Sequence, residues 1–358
     1  MSGIFKHLTG RAQVRRPSEG GSLFVREYHG RQTLVDQAGR PIQLRGMSTH
    51  GLQWYGEITN QNAFAALAND WGCNVIRLAM YIGEGGYTAD PSVRERVYQG
   101  IDLAFEHDLY VIVDWHVLSP GDPNAAVYAG AYAFFDDLSV RYQDHPRYHQ
   151  IIWELCNEPN PSGDEANAND ASGWQAIRRY AEPIIQMLRQ RGDNIIIVGT
   201  PNWSQRVDLA ADDPIAAENI MYAVHFYTGT HQPSDHSHDR DNVMSNTRYA
   251  IEHGSAVFAS EWGTSEASGD HGPFLEAADI WLEFLNEQMI SWCNWSLTTR
   301  DETSGSFRPC LPDESEAGRL DPGSGQVWPD EQLSVSGRYV RDRIKGLWST
   351  KHFAIRGS

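Results

Sequence analysis

Two periods of apolar and polar residues organise the chain. The first is a strong alternation in "SLFVREYHGRQTLVDQAGRPIQLRG" (22–46), around two glycine-containing turns. It predicts a hairpin, "LFVREY" then "TLVD", leading into a further strand. Short runs rich in β-branched and aromatic residues then recur at "IQLRGMS" (42–48), "VIRLAMY" (75–81), "YVIVDWH" (110–116) and "IIWELCN" (151–157). They continue at "NIIIVGT" (194–200), "IMYAVHFY" (220–227), "AVFASEW" (256–262) and "ISWCNWSL" (290–297). The second period lies between them. In "SVRERVYQGIDLAFEHD" (92–108), "WQAIRRYAEPIIQMLRQRG" (174–192) and "PFLEAADIWLEFLNEQ" (273–288), apolar residues fall three and four apart, as on one helix face.

Eight strands alternating with helical segments predict an α/β fold: a (β/α)8 barrel closed in one sheet, with an N-terminal β-hairpin. "SGRYVRDRIKGLW" (336–348) reads as the closing helix. The alternative is an open doubly wound sheet, which would normally carry a Gly-rich phosphate loop after its first strand, and none is present. The expected organisation is an N-terminal arm (1–21), one barrel domain (22–348) and a C-terminal tail (349–358). Pro-, Gly- and Asp-rich stretches break the rhythm at 119–124, 160–173, 228–242 and 301–335. Each follows a strand, on the side where a barrel carries its active site.

The ends of the strands carry chemistry. The second barrel strand ends with Arg77 and Tyr81, the third with His116, and the fourth with Asn157 and Glu158. The sixth ends with His225 and Tyr227, the seventh with Glu261 and Trp262, and the eighth with Trp295. Taken singly, each has a plain structural reading: a hydrogen-bonded histidine, a core tryptophan, a glutamate opening a loop. Together they converge on one axis, where unpaired polar groups would be costly to bury without a ligand.

Composition narrows the ligand. Against 29 Lys and Arg stand 47 Asp and Glu, a net charge of −18 that repels phosphate backbones and anionic lipid. Nucleic acid and membrane partners are therefore not expected, while neutral substrates remain open. Twelve tryptophans supply flat apolar faces. No stretch approaches the roughly 18 apolar residues of a membrane span. "MSGIFKHLTGRAQVRRPSEGG" is basic, with no apolar run of signal-peptide length. Cys73, Cys156, Cys293 and Cys310 show no C-x-x-C spacing. The first three lie in or beside apolar runs and read as buried thiols, with a disulfide as the alternative.

Strands four and seven lie on opposite sides of a barrel mouth, so Glu158 and Glu261 can face each other. Carboxyl groups about 5–5.5 Å apart suit double-displacement glycoside hydrolysis, one serving as acid/base and the other as nucleophile. A second negative charge and partial burial would favour protonation of the acid. Arg77 and the Tyr227 hydroxyl could stabilise an ionised nucleophile, and Asn157 could donate to a sugar 2-hydroxyl. Glu154, four residues before Glu158, reads as a buried structural acid that needs a partner inside the barrel.

The motifs also look like a known set. "IQLRGMSTHGLQWYG", "VIRLAMY", "VIVDWHVLSPGDPN", "IIWELCNEPN", "VHFYTGTH", "SEWGTSEASGD" and "NWSLTTRDE" together resemble the retaining family 5 glycoside hydrolases of clan A. Within that family the likeness is to bacterial endo-β-1,4-glucanases, from about residue 22 to 348. The resemblance implies Glu158 as proton donor and Glu261 as nucleophile. It also implies Arg77, His116, Asn157, His225 and Tyr227 as supporting residues, and Trp295 as a sugar-stacking wall. His50, Trp54, Tyr55 and Tyr81 match glycone-side contacts, as do Ala267 and Ser268 and the segment holding Arg300 and Glu302. Where the family commonly reads "LTHKDE", this chain has Thr299 and Arg300, a planar fork in place of an ammonium.

The implied activity is retaining hydrolysis of internal β-1,4 bonds in cellulose-like or mixed-linkage glucans, or cello-oligosaccharides, by a monomer without cofactor or metal. No cellulose-binding module is recognisable, so soluble or amorphous glucans are expected over crystalline cellulose. A polymeric substrate implies an extracellular or periplasmic site of action, although no export signal is visible. The alternatives are a β-mannanase or xyloglucanase on the same barrel, a non-catalytic carbohydrate-binding barrel, or a metal hydrolase using His116 and His225. "HQPSDHSHDRD" (231–241), with three His and three Asp, reads as a solvated loop, with cation binding as the alternative.

Overall fold

The structure, a computed structural model, describes residues 13–162, 171–234 and 241–347. The predicted hairpin is strand β1 (Phe24–Tyr28) paired antiparallel with β2 (Arg31–Val35). The barrel strands are β3 (Arg45–Thr49), β4 (Val75–Tyr81), β5 (Tyr110–His116), β6 (Ile151–Glu154), β7 (Ile196–Val198), β8 (Ile220–Tyr227), β9 (Val257–Gly263) and β10 (Ser291–Leu297). They pair in parallel in chain order, and β10 closes on β3. A closed parallel barrel excludes the open doubly wound alternative.

One helix returns the chain after each barrel strand: α1 (Gln61–Ala65), α2 (Arg94–Glu106), α3 (Ala131–Tyr142), α4 (Ala171–Leu188), α5 (Val207–Asp212), α6 (Val243–Glu252), α7 (Leu275–Glu287) and α8 (Val335–Ile344). Their apolar stripes explain their place. α2 buries Val97, Ile101, Ala104 and Phe105 at three- and four-residue spacing, and α4 buries Trp174, Ile177, Ala181, Ile184 and Leu188. These join the outward-facing strand residues in one large shell.

The barrel interior is layered. Val75, Ile112, Ile152, Ile197, Met221, Phe258 and Cys293 form an apolar floor, joined from the hairpin side by Leu23, Leu34, Ile42 and Leu44. Above it the inward positions turn polar. Among the cysteines no disulfide forms, and Cys73, Cys156 and Cys293 are buried, as their apolar flanks predict.

Two strands are shorter than their apolar runs. β6 stops at Glu154 rather than continuing to 157. Leu155 N still donates to Ile197 O (3.0 Å), but the Asn157 and Glu158 amides turn to the Trp115 and Val117 carbonyls (3.3 and 3.1 Å). The chain thus bends across the mouth and places Asn157 and Glu158 over the barrel axis. β7 is three residues long for a related reason. Gly199 after it lies so close to the bent segment that a Cβ there would meet Cys156 O at 2.2 Å.

β9 departs from simple alternation. Opposite β8 the register steps from Ala223↔Phe258 to His225↔Glu261, and opposite β10 from Trp292↔Ala259 to Asn294↔Trp262. β9 therefore carries one extra residue against both neighbours, a bulge. Phe258 faces the barrel floor and Ala259 the outer shell, then Ser260 and Glu261 both face inward. Trp262 is returned to the outer shell, where it stacks near Phe226 and meets Trp292 edge-on. The expectation that Trp262 joins the strand-end cluster is thereby corrected.

Candidate active site

Arg77 is the hub of the polar layer. It is wholly buried on β4, and its five N–H groups have to be met inside the barrel. Nε donates to Glu154 Oε2 (2.7 Å), Nη1 to Glu261 Oε2 (3.0 Å), and Nη2 to Asn157 Oδ1 (2.7 Å). Nη2 also lies 3.0 Å from Asp114 Oδ2. The partner that Glu154 required is therefore Arg77. Burial works against the Glu154 charge, but Arg77, with His225, outweighs it and holds the carboxyl down at about 2. Removing one member of such a buried set would strand the others without compensation.

Arg77 also orients its neighbours. A guanidinium only donates, so Asn157 must turn its oxygen toward Arg77 and its NH2 toward His116 Nε2 (3.2 Å) and Val117 O (3.2 Å). His116 in turn places Nδ1 on Asp114 Oδ2 (2.6 Å). Burial, with Arg77 beside it, pushes His116 down to about 3, so the ring is neutral with its proton on Nδ1.

Two carboxylates meet above this layer. Tyr227 donates its hydroxyl to Glu261 Oε1 (2.6 Å) while Arg77 takes Oε2, so both oxygens of Glu261 accept. Burial, and Glu261 and Glu158 nearby, push the Tyr227 hydroxyl well above its ordinary range, which keeps it a donor. Glu158 is only partly buried and takes its hydrogen bond from His225 Nδ1 (3.1 Å). One oxygen of Glu158 and one of Glu261 lie within 4.8 Å of each other and of a His225 ring nitrogen.

Two acids and a histidine at that spacing are also a conceivable cation site. His225 is also placed to hold a proton there. Burial alone would strip the ring of its proton, but Glu154 and Glu158 on either side outweigh it and hold the pKa up at about 9. A proton on this ring competes with a cation for the same three groups.

Those shifts set a pH dependence. Ring-nitrogen NMR is expected to show His225 titrating near pH 9 and His50 and His116 neutral down to about pH 3. His225 is raised above its ordinary 6.5, so its contribution to stability is complete below 6.5 and is lost as pH rises through about 9. His50 and His116 act at the other end. Below 6.5 the unfolded chain takes up their protons first, which removes stability down to about pH 3. A His225 midpoint near 6.5 would contradict this electrostatic picture.

An aromatic wall flanks the carboxylates on the β3, β4 and β10 side. The His50 ring lies 4.9 Å from Trp295, 5.0 Å from Tyr55 and 5.7 Å from Trp54. Tyr81 stacks on His116 at 4.0 Å and meets Trp54 edge-on at 5.1 Å. Trp54 is 41% exposed, an unusual state for so large an apolar ring. Arg300 lies beyond the wall, exposed, 3.4 Å from Glu302 Oε2, and Ser304 donates to Glu302 Oε1 (3.0 Å). Burial pushes the Glu302 carboxyl up.

On the opposite side a cavity of about 510 Å³ opens beside Glu158, lined also by Leu118, His225, Tyr227, Trp203 and Ala267. Ala267 and Ser268 are exposed on the loop after β9, which ties to Thr230 at one end and to Ser304 at the other. Ala267 thus borders the cavity.

A family description, Cellulase (glycosyl hydrolase family 5), matches residues 35–301. The chain belongs to this family of cellulases. It is 60% identical over 343 residues to an endoglucanase from Bacillus sp. (strain KSM-635), covering 93% of this chain and 36% of that protein. The chain therefore spans about a third of that relative's length. The solved alkaline cellulase K catalytic domain superposes with a TM-score of 0.92 at 59% identity, covering 95% of this chain and 98% of that one. The Thermobifida fusca endoglucanase Cel5A catalytic domain, solved with cellotetraose, superposes with a TM-score of 0.77 at 34% identity, covering 92% of this chain and 99% of that one.

This family 5 chain also places residues at the site that sequence reasoning passed over. Asp114 orients His116 from two positions back on the same strand face, a signal present in "DWH". Trp203 borders the cavity from a turn in which Asn202, Trp203 and Ser204 all have φ between 54° and 59°. Three consecutive left-handed residues other than glycine cost on the order of 1–2 kcal/mol each. They are held by Ser204 Oγ donating to Asn157 O (2.7 Å) and Trp203 N donating to Pro159 O (3.2 Å). The turn is thereby clamped to the segment that carries Glu158. Of the 231–241 loop, residues 235–240 fall outside the described residues, as do 1–12 of the N-terminal arm and the tail at 349–358. Among the described residues no helix is long and apolar enough to cross a membrane.

Proposed function

We propose that the protein is a retaining endo-β-1,4-glucanase acting on cello-oligosaccharides and soluble or amorphous β-glucans outside the cytoplasm, as a monomer. The observation that carries the reading is the pair of opposed carboxylates. One oxygen of each lies within 4.8 Å of one of the other, close enough to fit the roughly 5–5.5 Å carboxyl separation of a double displacement. The cellotetraose held by the Thermobifida fusca relative supports the substrate class.

In this reading a glucan chain lies across the mouth with its glycone sugars on the Trp54–Tyr81–Trp295 wall and its aglycone in the cavity beside Trp203. Glu261 attacks the anomeric carbon. The bond to the leaving sugar breaks toward its oxygen, which takes the proton from Glu158. Asn157, its oxygen fixed by Arg77, gives up one of its two 3.2 Å NH2 contacts to donate to the 2-hydroxyl. Glu158, now a carboxylate, removes a proton from water, which attacks the same carbon and frees Glu261. Two inversions give net retention.

Reducing-sugar release from carboxymethyl cellulose, barley β-glucan and mannan, with and without EDTA, tests the substrate assignment. Activity on the glucans, unchanged by EDTA, is expected. Turnover of mannan alone, or binding without turnover, would overturn it. Proton NMR of the first product from cellotetraose should show the β anomer before mutarotation; the α anomer would refute the double displacement.

A further inference from the structure

We propose that Ser260 is a positioning residue for Glu158, acting through His225. This inference rests on the acid–base role proposed above for Glu158. Ser260 is fully buried beside the nucleophile and does not line the cavity. Its hydroxyl donates to Glu154 Oε1 (2.6 Å) and lies 2.9 Å from His225 Nε2. With its one proton committed to Glu154, Ser260 accepts from Nε2–H. Nε2 thus carries a proton, and because the Glu154 and Glu158 carboxyls also hold the ring protonated, Nδ1–H is directed at Glu158 (3.1 Å).

The bridge is necessary because the direct contact is too long. His225 Nε2 and Glu154 Oε1 are 3.8 Å apart, beyond hydrogen-bond range. Without the hydroxyl the ring loses its anchor at Nε2, and its aim at Glu158 loosens. The charged and titratable groups facing His225 include Glu154, Glu158 and Glu261, with Asp114 and His116 across the barrel. The ordering runs from Arg77 through Glu154, Ser260 and His225 to Glu158, while Arg77 also holds Glu261 directly. One guanidinium thus sets the positions of both carboxylates. The β9 bulge makes this feasible, since only the extra residue lets Ser260 and Glu261 both face inward.

Ser260→Ala separates positioning of the acid from general damage. On cellotetraose, whose leaving sugar must be protonated, kcat/KM is expected to fall about 10- to 100-fold. On 2,4-dinitrophenyl β-cellobioside, whose leaving group needs no proton, kcat/KM should stay within about twofold of wild type. Trapping of Glu261 by a 2-deoxy-2-fluoro dinitrophenyl analogue should proceed at the wild-type rate. Equal losses on both substrates, or no loss on cellotetraose, would overturn the proposal. If the alanine variant does not fold, Ser260→Cys, nearly isosteric but a poor hydrogen-bonding bridge, carries the same test with the same outcomes. Glu158→Ala is measured alongside. Should it lack leaving-group dependence, the acid assignment itself falls; should it show that dependence while the Ser260 variants do not, only the present inference falls.

Discussion

Glu261→Ala is expected to lower kcat on cellotetraose by roughly 10⁴-fold or more, leaving KM within a few-fold. The size follows from what is lost. The Glu261 carboxylate is the group that would form the covalent bond, and nothing else within reach can replace it. Its two oxygens are individually held, Oε1 by Tyr227 at 2.6 Å and Oε2 by Arg77 at 3.0 Å, so its angle of attack is preset. The variant also leaves a gap of carboxylate size beside the anomeric carbon. Azide or formate should enter it and restore turnover of an activated aryl cellobioside, with the azide product in the α configuration. A fully active Glu261→Ala would sink the double displacement, and rescue giving the β azide would reassign the nucleophile.

Glu158→Ala is expected to lower kcat/KM on cellotetraose by roughly 10²- to 10⁴-fold, the usual worth of a positioned general acid. The dinitrophenyl cellobioside should behave differently. Its departure needs no proton, so kcat/KM should change little. Its kcat should fall, because water then attacks the glycosyl-enzyme without a general base. Azide should restore that kcat, since an anion needs no deprotonation, and here its product should be β. The surroundings of Glu158 fit this division. It has one fixed partner, His225, and an open side toward the cavity where a leaving sugar and then water would sit. Equal losses on both substrates would remove Glu158 from the acid role.

Much of this was legible before any coordinates. Short β-branched and aromatic runs separated by helical periods are a direct consequence of burying one layer of helices on one closed sheet, and all eight barrel strands lie where the runs predict. Polar residues at the C-terminal ends of apolar strands pointed to the mouth, and Arg77, His116, Asn157, Glu158, His225, Tyr227 and Glu261 do come together there. Glu154 was readable as a buried acid in need of a partner, but not as the partner of Arg77, because their contact joins residues 77 positions apart. Trp203 was invisible for another reason. Nothing in "PNWSQ" announces a left-handed turn, since Asn, Trp and Ser adopt it only under restraint from the neighbouring segment.

The sequence by itself determined the barrel, the strand that carries each functional residue, and the pairing of two carboxylates at one mouth. Periodicity is a local property, and it suffices for these. What tertiary structure alone decided is the direction of side chains where local alternation fails. Counted strictly from Phe258, alternation along "AVFASEW" sends Ser260 and Trp262 inward and Glu261 out. The bulge reverses this for the last two, turning Glu261 in and Trp262 out while Ser260 stays inside. β9 must satisfy β8 on one side and β10 on the other, and the residue left over by that double pairing brings Glu261 into the site.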